Sequence, residues 1–176
     1  MTKKALYISI VLSLFISACN MLQSIVKSTF PYTATLMIPA SAQPNKSYSA
    51  VSLATSLDQS FSKSGNNANK VSEVSIISAK LQSTAPADFN LGDLKSVKIY
   101  MSKEDEKDEV LVASRTDITP GTGNVMTLDI DNSHFLDPLV RERDIRIKMV
   151  YELRKKTGVD VSVHLVLGLN AYPAKE

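Results

Sequence analysis

Four side chains that could bind a cation lie close together in the second half of the chain: Asp129, Asp131, Asn132 and His134. Alternating carboxylates such as Asp129 and Asp131 can ligate calcium, which takes oxygen ligands. The spacing differs from that of an EF-hand loop, because the glycine at the sixth position and the glutamate at the twelfth are both missing. We therefore predict that these residues cap a turn after a strand, with a calcium site at Asp129 and Asp131 as the alternative.

The two histidines, His134 and His164, are the candidates for acid–base catalysis. A serine hydrolase would need a serine and an orienting acid beside one of them. The sequence lacks the Gly-x-Ser-x-Gly turn that many such enzymes use, and it lacks a glycine-rich phosphate loop. Because no catalytic constellation is recognisable, we predict a protein that is not an enzyme, and a hydrolase is the least favoured alternative.

Two charged segments could bind partners of opposite sign. Residues 103–109 carry five acids, and a solvated hairpin tip is the simpler interpretation. Arg146, Lys148 and Arg154 are expected on one face of a strand, where they could contact anionic headgroups or a cell-wall polymer. Since acidic residues interrupt that face, a solvated outer surface that discourages edge pairing is the favoured interpretation.

The first eighteen residues have the three parts of an export signal. Lys3 and Lys4 form a positive head, residues 5–18 are almost wholly apolar, and small residues end the segment. An apolar run of this length is too short to cross a membrane, for which about 20 residues are needed. These features predict a signal peptide over residues 1–18.

The end of that signal carries a more specific pattern. Ile16-Ser17-Ala18-Cys19 resembles the lipobox of bacterial lipoproteins, in which a hydrophobic residue and two small residues precede a cysteine. The resemblance implies cleavage before Cys19 and attachment of a diacylglycerol to its thiol, so that a covalent lipid is expected and no cofactor. Cys19 is the only cysteine of the chain, which favours a lipobox over an ordinary export signal followed by an unrelated cysteine.

The predicted processing changes the charge balance. The chain has 20 basic and 18 acidic residues, and removal of residues 1–18 takes Lys3 and Lys4 and leaves 18 of each. Nucleic-acid binding rests on surplus positive charge, so no nucleic-acid partner is expected. The expected partners are a membrane, reached through the lipid anchor, and an envelope protein or polymer. No acidic cluster follows Cys19, which favours a periplasm-facing site over the cell surface.

The rest of the chain reads as strands. Residues 19–32 are predicted to be the lipidated cysteine and a short tether, and residues 33–173 alternate apolar and polar side chains in the period of half-buried strands. The period slips between Ile76 and Ile77, which predicts a bulge. Residues 144–154 and 159–169 are predicted to form one long antiparallel hairpin with a buried and a wet side.

Seven or eight such strands with little helix predict a single all-β domain. The favoured architecture is an antiparallel two-sheet β-sandwich, immunoglobulin-like in the broad sense, and an open β-barrel is the alternative. The leading functional hypothesis is a membrane-anchored envelope lipoprotein that acts as a non-enzymatic binding or scaffold module. A small-ligand or glycan-binding lipoprotein is the alternative, and a deep pocket lined by tyrosines would favour it.

Overall fold

The computed structural model describes residues 28–55, 71–105, 108–142 and 144–174. The predicted signal peptide, Cys19 and most of the predicted tether lie outside the described residues. Within these ranges the chain forms nine strands, a 3₁₀ turn at Leu91–Asp93 and one short helix, α1, at Asp137–Val140. The strands are β1 (Ser28–Ile38), β2 (Ser47–Thr55), β3 (Val71–Ala85), β4 (Leu94–Lys103), β5 (Val110–Arg115), β6 (Val125–Thr127), β7 (Asp129–Ile130), β8 (Asp144–Leu153) and β9 (Val161–Pro173).

The described strands form two antiparallel sheets that pack face to face. The four-stranded sheet has the order β1-β9-β3-β6, and the five-stranded sheet has the order β2-β8-β4-β5-β7. The sheets do not close into a barrel. The predicted all-β sandwich is therefore confirmed, and the barrel alternative is set aside.

The core is built from the alternate residues of the two longest regular patterns. β8 buries Ile145, Ile147, Met149, Tyr151 and Leu153, and β9 buries every second residue from Val161 to Leu169. These are the residues that the period of two places on the inner faces. Val159 was expected to join them, but it precedes β9 and is 50% exposed.

The predicted hairpin between these two segments is wrong. β8 pairs with β2 and β4 in the five-stranded sheet, whereas β9 pairs with β1 and β3 in the four-stranded sheet. The connection at residues 154–160 therefore crosses from one sheet to the other. Two apolar faces in the same phase can lie side by side in one sheet or point at each other from two sheets, and period alone does not distinguish these arrangements.

The described chain has nine strands where seven or eight were predicted, because one apolar segment contributes a strand to each sheet. In residues 125–130 the apolar side chains alternate as in a single strand, but the segment divides, since β6 pairs with β3 and β7 pairs with β5. Leu128 lies between them, is buried, and donates its backbone N–H to the Ala79 carbonyl at 2.9 Å. The chain thus changes sheets within a single apolar alternation.

The first strand begins at Ser28, five residues before the predicted start of the domain. Phe30 and Tyr32 are buried, in phase with the inward residues that follow them, and their rings meet edge to face at 6.5 Å. Pro31 lies between them and is exposed, which a strand tolerates only at a sheet edge or bulge. Because β1 is an edge strand, proline does not end the strand here.

The predicted bulge in β3 is confirmed, and it is one of several. The register of β3 against β9 shifts between Ser72 and Ser75, between Ile76 and Ser78, and again near the end of the strand. Glu73 adopts a positive φ of 53°, which β-strand geometry excludes. β3 therefore leaves backbone groups that its neighbouring strands do not pair.

Side chains from the segment before α1 and from its first residue satisfy those groups. The carboxylate of Asp137 accepts hydrogen bonds from the backbone N–H groups of Glu73 at 2.9 Å and Val74 at 3.0 Å. Asn132 accepts from the N–H of Ile76 at 3.0 Å and donates to its carbonyl at 2.9 Å. Two polar side chains thus take the place of a pairing strand beside the bulged part of β3.

Asp137→Ala is expected to destabilise the domain by about 2 kcal/mol, because two N–H groups at the bulge lose their acceptor. Asp129→Ala is the matched control, since Asp129 is exposed on β7 and its loss should cost less than about 0.5 kcal/mol. Urea denaturation of both variants measures the difference. Equal destabilisation by the two substitutions would show that the Asp137 contacts are not important for stability.

Candidate functional site

The acidic run at residues 103–109 and the polar cluster at residues 129–134 meet in one cleft. It has a volume of about 450 Å³ and is lined by Asp108, Glu109, Val110, Leu111, Asp131, Ser133 and His134. The pairing of β5 with β7 brings these residues together, because antiparallel strands place the residues before β5 beside those after β7. A backbone hydrogen bond from Asp131 N to Val112 O, at 3.0 Å, holds the two segments together.

Asp131 closes the turn that follows β7. Its Oδ1 accepts a hydrogen bond from the Ser133 hydroxyl at 2.6 Å and another from the Ser133 N–H at 2.9 Å. These hydrogen bonds to the charged form lower the pKa of Asp131, and the nearby His134 lowers it further. The capping role predicted for this cluster is therefore confirmed at Asp131.

The candidate calcium ligands are not brought together as one ligand set in the structure. Asp129 lies on β7, where it pairs with Ser114 across the sheet, while Asp131 is engaged by Ser133. Asn132 is used by the β3 backbone. Across the described ranges, no group of three or more histidine, cysteine or acidic side chains could hold a metal ion.

Ser133→Ala is expected to raise the pKa of Asp131 toward the usual aspartate value, because the hydroxyl bond is the largest cause of its depression. The shift should be incomplete, since the backbone N–H remains. A carboxylate with a lowered folded-state pKa stabilises the fold above its unfolded pKa and loses that contribution as the pH falls through the folded pKa. Carbon-detected NMR titration of the Asp131 carboxyl measures the shift, and Asp129 in the same spectra is the internal control.

The histidines stand in different environments. The only hydrogen of the Ser133 hydroxyl is donated to Asp131, so this arrangement does not direct it at the neighbouring imidazole of His134. His164 lies on the outer face of β9, with its Nδ1 3.5 Å from the Thr35 hydroxyl. Neither the Ser133–Asp131 hydrogen bond nor the Thr35–His164 contact is the short serine–imidazole hydrogen bond of a hydrolase triad.

The three basic residues predicted on one face are divided. Lys148 lies on the outer face of β8, 2.6 Å from the Glu109 carboxylate and 5.3 Å from the Tyr100 ring centroid. Arg146 shares that face two residues away. Arg154 follows the end of β8, and its guanidinium donates to the carbonyl oxygens of Gly92 at 3.3 Å and Ile118 at 2.7 Å. Arg154 therefore ties two loops together, because the strand ends before the alternation would carry it onto the outer face.

The tyrosines mainly serve packing. Tyr32 and Tyr151 are buried in the core, and burial raises the pKa of Tyr151 to about 12, with a smaller contribution from Tyr48. Tyr48 stacks on Tyr151 with ring centroids 5.9 Å apart. Tyr100 lies beneath Lys148, and Tyr172 is on β9. The acid-lined cleft and the tyrosines are thus separate features.

β2 exposes a pair of aliphatic side chains that its sequence pattern did not predict. Val51 is 45% exposed and Leu53 is 55% exposed, and across the sheet they pair with Lys148 and Arg146. The alternation in Ser-Tyr-Ser-Ala-Val-Ser-Leu-Ala-Thr was the available signal. It suggests that the larger aliphatic residues face inward, whereas the structure turns Tyr48 and the small residues Ala50, Ser52 and Ala54 inward.

Comparisons with known proteins add no relative: no protein-family model matches the chain, and no curated protein is significantly similar to it. A search of the described residues for a helix that is both long and apolar enough to span a bilayer also finds none.

Proposed function

We propose that this chain is a bacterial envelope lipoprotein whose β-sandwich is a non-enzymatic binding or scaffold module. The observation that carries the proposal is the lipobox-like Ile16-Ser17-Ala18-Cys19, which ends nine positions before β1. Nine residues span at most about 30 Å when fully extended. A lipid on Cys19 would therefore keep the sandwich close to the membrane surface.

The binding role is supported by the character of the outer surfaces. Val51 and Leu53 expose aliphatic surface on the same sheet face as Lys148 and Arg146. Exposed apolar side chains on an outer sheet face are suited to contacts with another envelope protein. Without residues 1–18 the chain has equal numbers of basic and acidic residues, which does not favour binding to nucleic acid. The lack of an acidic cluster after Cys19 favours a periplasm-facing site.

A small-ligand-binding lipoprotein is the second candidate, and the acidic cleft is the observation that favours it. Its volume of about 450 Å³ falls within the usual range for ligand pockets. Because Glu109 is paired with Lys148, the carboxylates of Asp108 and Asp131 would be the groups that select cationic ligands over neutral or anionic ones. A thermal-shift comparison of amino sugars with their neutral counterparts separates this candidate from the scaffold module.

Cys19→Ser is expected to move the protein almost completely from the membrane fraction to the soluble fraction. Each buried acyl methylene contributes about 0.8 kcal/mol to membrane binding, and this variant lacks the thiol that would carry the chains. Ser17→Ala is the matched control, because it keeps a small residue before the cysteine and should leave anchoring intact. Fractionation and intact-mass measurement decide the matter. Wild-type protein without acyl mass, or a Cys19→Ser variant that stays in the membrane, contradicts the proposal.

A further inference from the structure

Among the described strands, three of the four sheet edges carry a feature that discourages pairing with another chain. An edge strand presents unpaired N–H and C=O groups, and proteins protect such edges with prolines, charges, bulges or shortness. β6 and β7 contain only three and two residues. β1 contains Pro31, which cannot donate a backbone hydrogen bond.

The fourth edge, β2, carries none of these features. Its nine residues, Ser47–Thr55, include no proline and no charged side chain. The register against β8 is continuous over all nine positions, and in the described part of the chain β8 is the only strand that pairs with β2. β2 also exposes Val51 and Leu53. The edge is therefore uncharged, keeps a continuous register and exposes two aliphatic side chains on its outer face, which is a form that can accept an added strand.

We propose that β2 pairs antiparallel with β2 of a second copy of this chain, about a two-fold axis at Ser52. In this register Val51 of each copy lies opposite Leu53 of the other, so that all four exposed aliphatic side chains meet on one face. Ala50 lies opposite Ala54 on the inner face, and the two copies of Ser52 face each other. The two five-stranded sheets become one continuous sheet through an isologous contact.

Charge complementarity favours the antiparallel arrangement and permits the dimer. Lys46 precedes β2, and Asp144 lies beside its last residue, Thr55. Antiparallel pairing turns the positive end of one strand toward the negative end of the other, whereas parallel pairing would place like charges together. Lys148 and its copy are three strand spacings apart and offset by two residues along the strands, a distance of about 16 Å, which exceeds the screening length of about 8 Å at physiological salt.

The contact is small, so the dimer is expected to be weak in dilute solution and more populated on a membrane surface. A nine-residue strand is about 30 Å long and one sheet about 10 Å thick, so each copy buries roughly half of the 800 Å² of a standard stable interface. A weak dimer is therefore expected in dilute solution. If the proposed lipid anchor is present, it confines the copies to a surface and raises their effective concentration, a part of the inference that rests on the proposed function.

Cysteine crosslinking tests the proposal in the full chain. Ser52→Cys is introduced together with Cys19→Ala for the protein in solution and with Cys19 retained for membrane vesicles. Under mild oxidation it should form a disulfide-linked homodimer at about tenfold the yield of Thr127→Cys, an exposed position on β6. Adding Val51→Lys, which places new charges across the axis, should reduce that yield about tenfold. Because position 51 lies opposite Lys148 of the same chain, the melting temperature of this variant is measured to show that the domain is still folded.

The outcomes separate the dimer from the anchor. Equal crosslinking of Ser52→Cys and Thr127→Cys, or a yield that Val51→Lys does not change, overturns the proposal. Crosslinking of Ser52→Cys to a different protein in the vesicles, without the homodimer, also overturns it and assigns the edge to a heterologous strand. A homodimer of the Cys19→Ala protein in solution, together with a Cys19-retaining chain that does not fractionate with membranes, supports the dimer and contradicts the proposed anchoring.

Discussion

Ile147→Asp is expected to unfold the domain, with a loss of about 4 kcal/mol or more in the free energy of unfolding. Ile147 is 1% exposed on the inner face of β8, the strand that lies between β2 and β4. An aspartate there either holds an unpaired charge in the core or binds a proton, and it also gives up the buried aliphatic surface. Leu165→Asp makes the same change from β9, on the other sheet, and should be as severe.

The control for these variants is an outward position on a neighbouring strand. Lys98 is exposed on β4, so Lys98→Asp should change stability by less than about 0.5 kcal/mol. Lys148 is unsuitable, because its ammonium pairs with Glu109 at 2.6 Å and an aspartate there would repel that carboxylate. Urea melts of the three variants provide the comparison. A stable Ile147→Asp protein beside an unfolded Lys98→Asp protein would mean that the faces of the five-stranded sheet are inverted.

Gly92→Ala is expected to destabilise the domain by about 2–3 kcal/mol. Gly92 is buried in the 3₁₀ turn after Asn90, whose side chain accepts its N–H at 2.9 Å. A methyl group at Gly92 would overlap the backbone carbonyl oxygens of Thr119 and Pro120. Backbone atoms cannot rotate away as a flexible side chain can, so the loop itself would have to move. Arg154 adds to the constraint, because it binds the Gly92 and Ile118 carbonyls on either side of the contact.

Gly121→Ala is the matched control in the same loop. A methyl group at Gly121 meets nothing within 4 Å, and the smaller entropy of the unfolded alanine chain could offset any local cost. Its melting temperature should therefore stay within a few degrees of the wild-type value. If thermal unfolding shows the two alanine variants to be equally stable, the close approach at Gly92 does not constrain the fold.

Much of the local structure was predictable because it depends on near neighbours in the sequence. The period of two identifies the inward residues of β8 and β9, and its slip at Ile76 marks a real bulge in β3. The turn after β7 was predictable for the same reason, since the Asp131 hydrogen bonds reach only two residues. The start of β1 was missed because Pro31 interrupts the usual strand composition.

The arrangement of the candidate site was less predictable, because it brings together residues that are distant in sequence. Residues 103–109 and 129–134 were each recognised as charged, but only the pairing of β5 with β7 makes them walls of one cleft. Arg154 was assigned to the outer face by extending the strand alternation one residue beyond Leu153, where the strand in fact ends.

The sequence by itself determined that this protein is built from strands with one apolar face, which residues form that face, and that Cys19 stands in a lipobox-like context. These are properties of composition and period over a few residues. Only the tertiary structure decided that β8 and β9 belong to opposite sheets, that β6 and β7 divide one apolar run, and that β2 lies at a sheet edge among the described strands. Strand partners are chosen by long-range hydrogen bonding and by the closing of a common core, and several pairings satisfy the same local alternation.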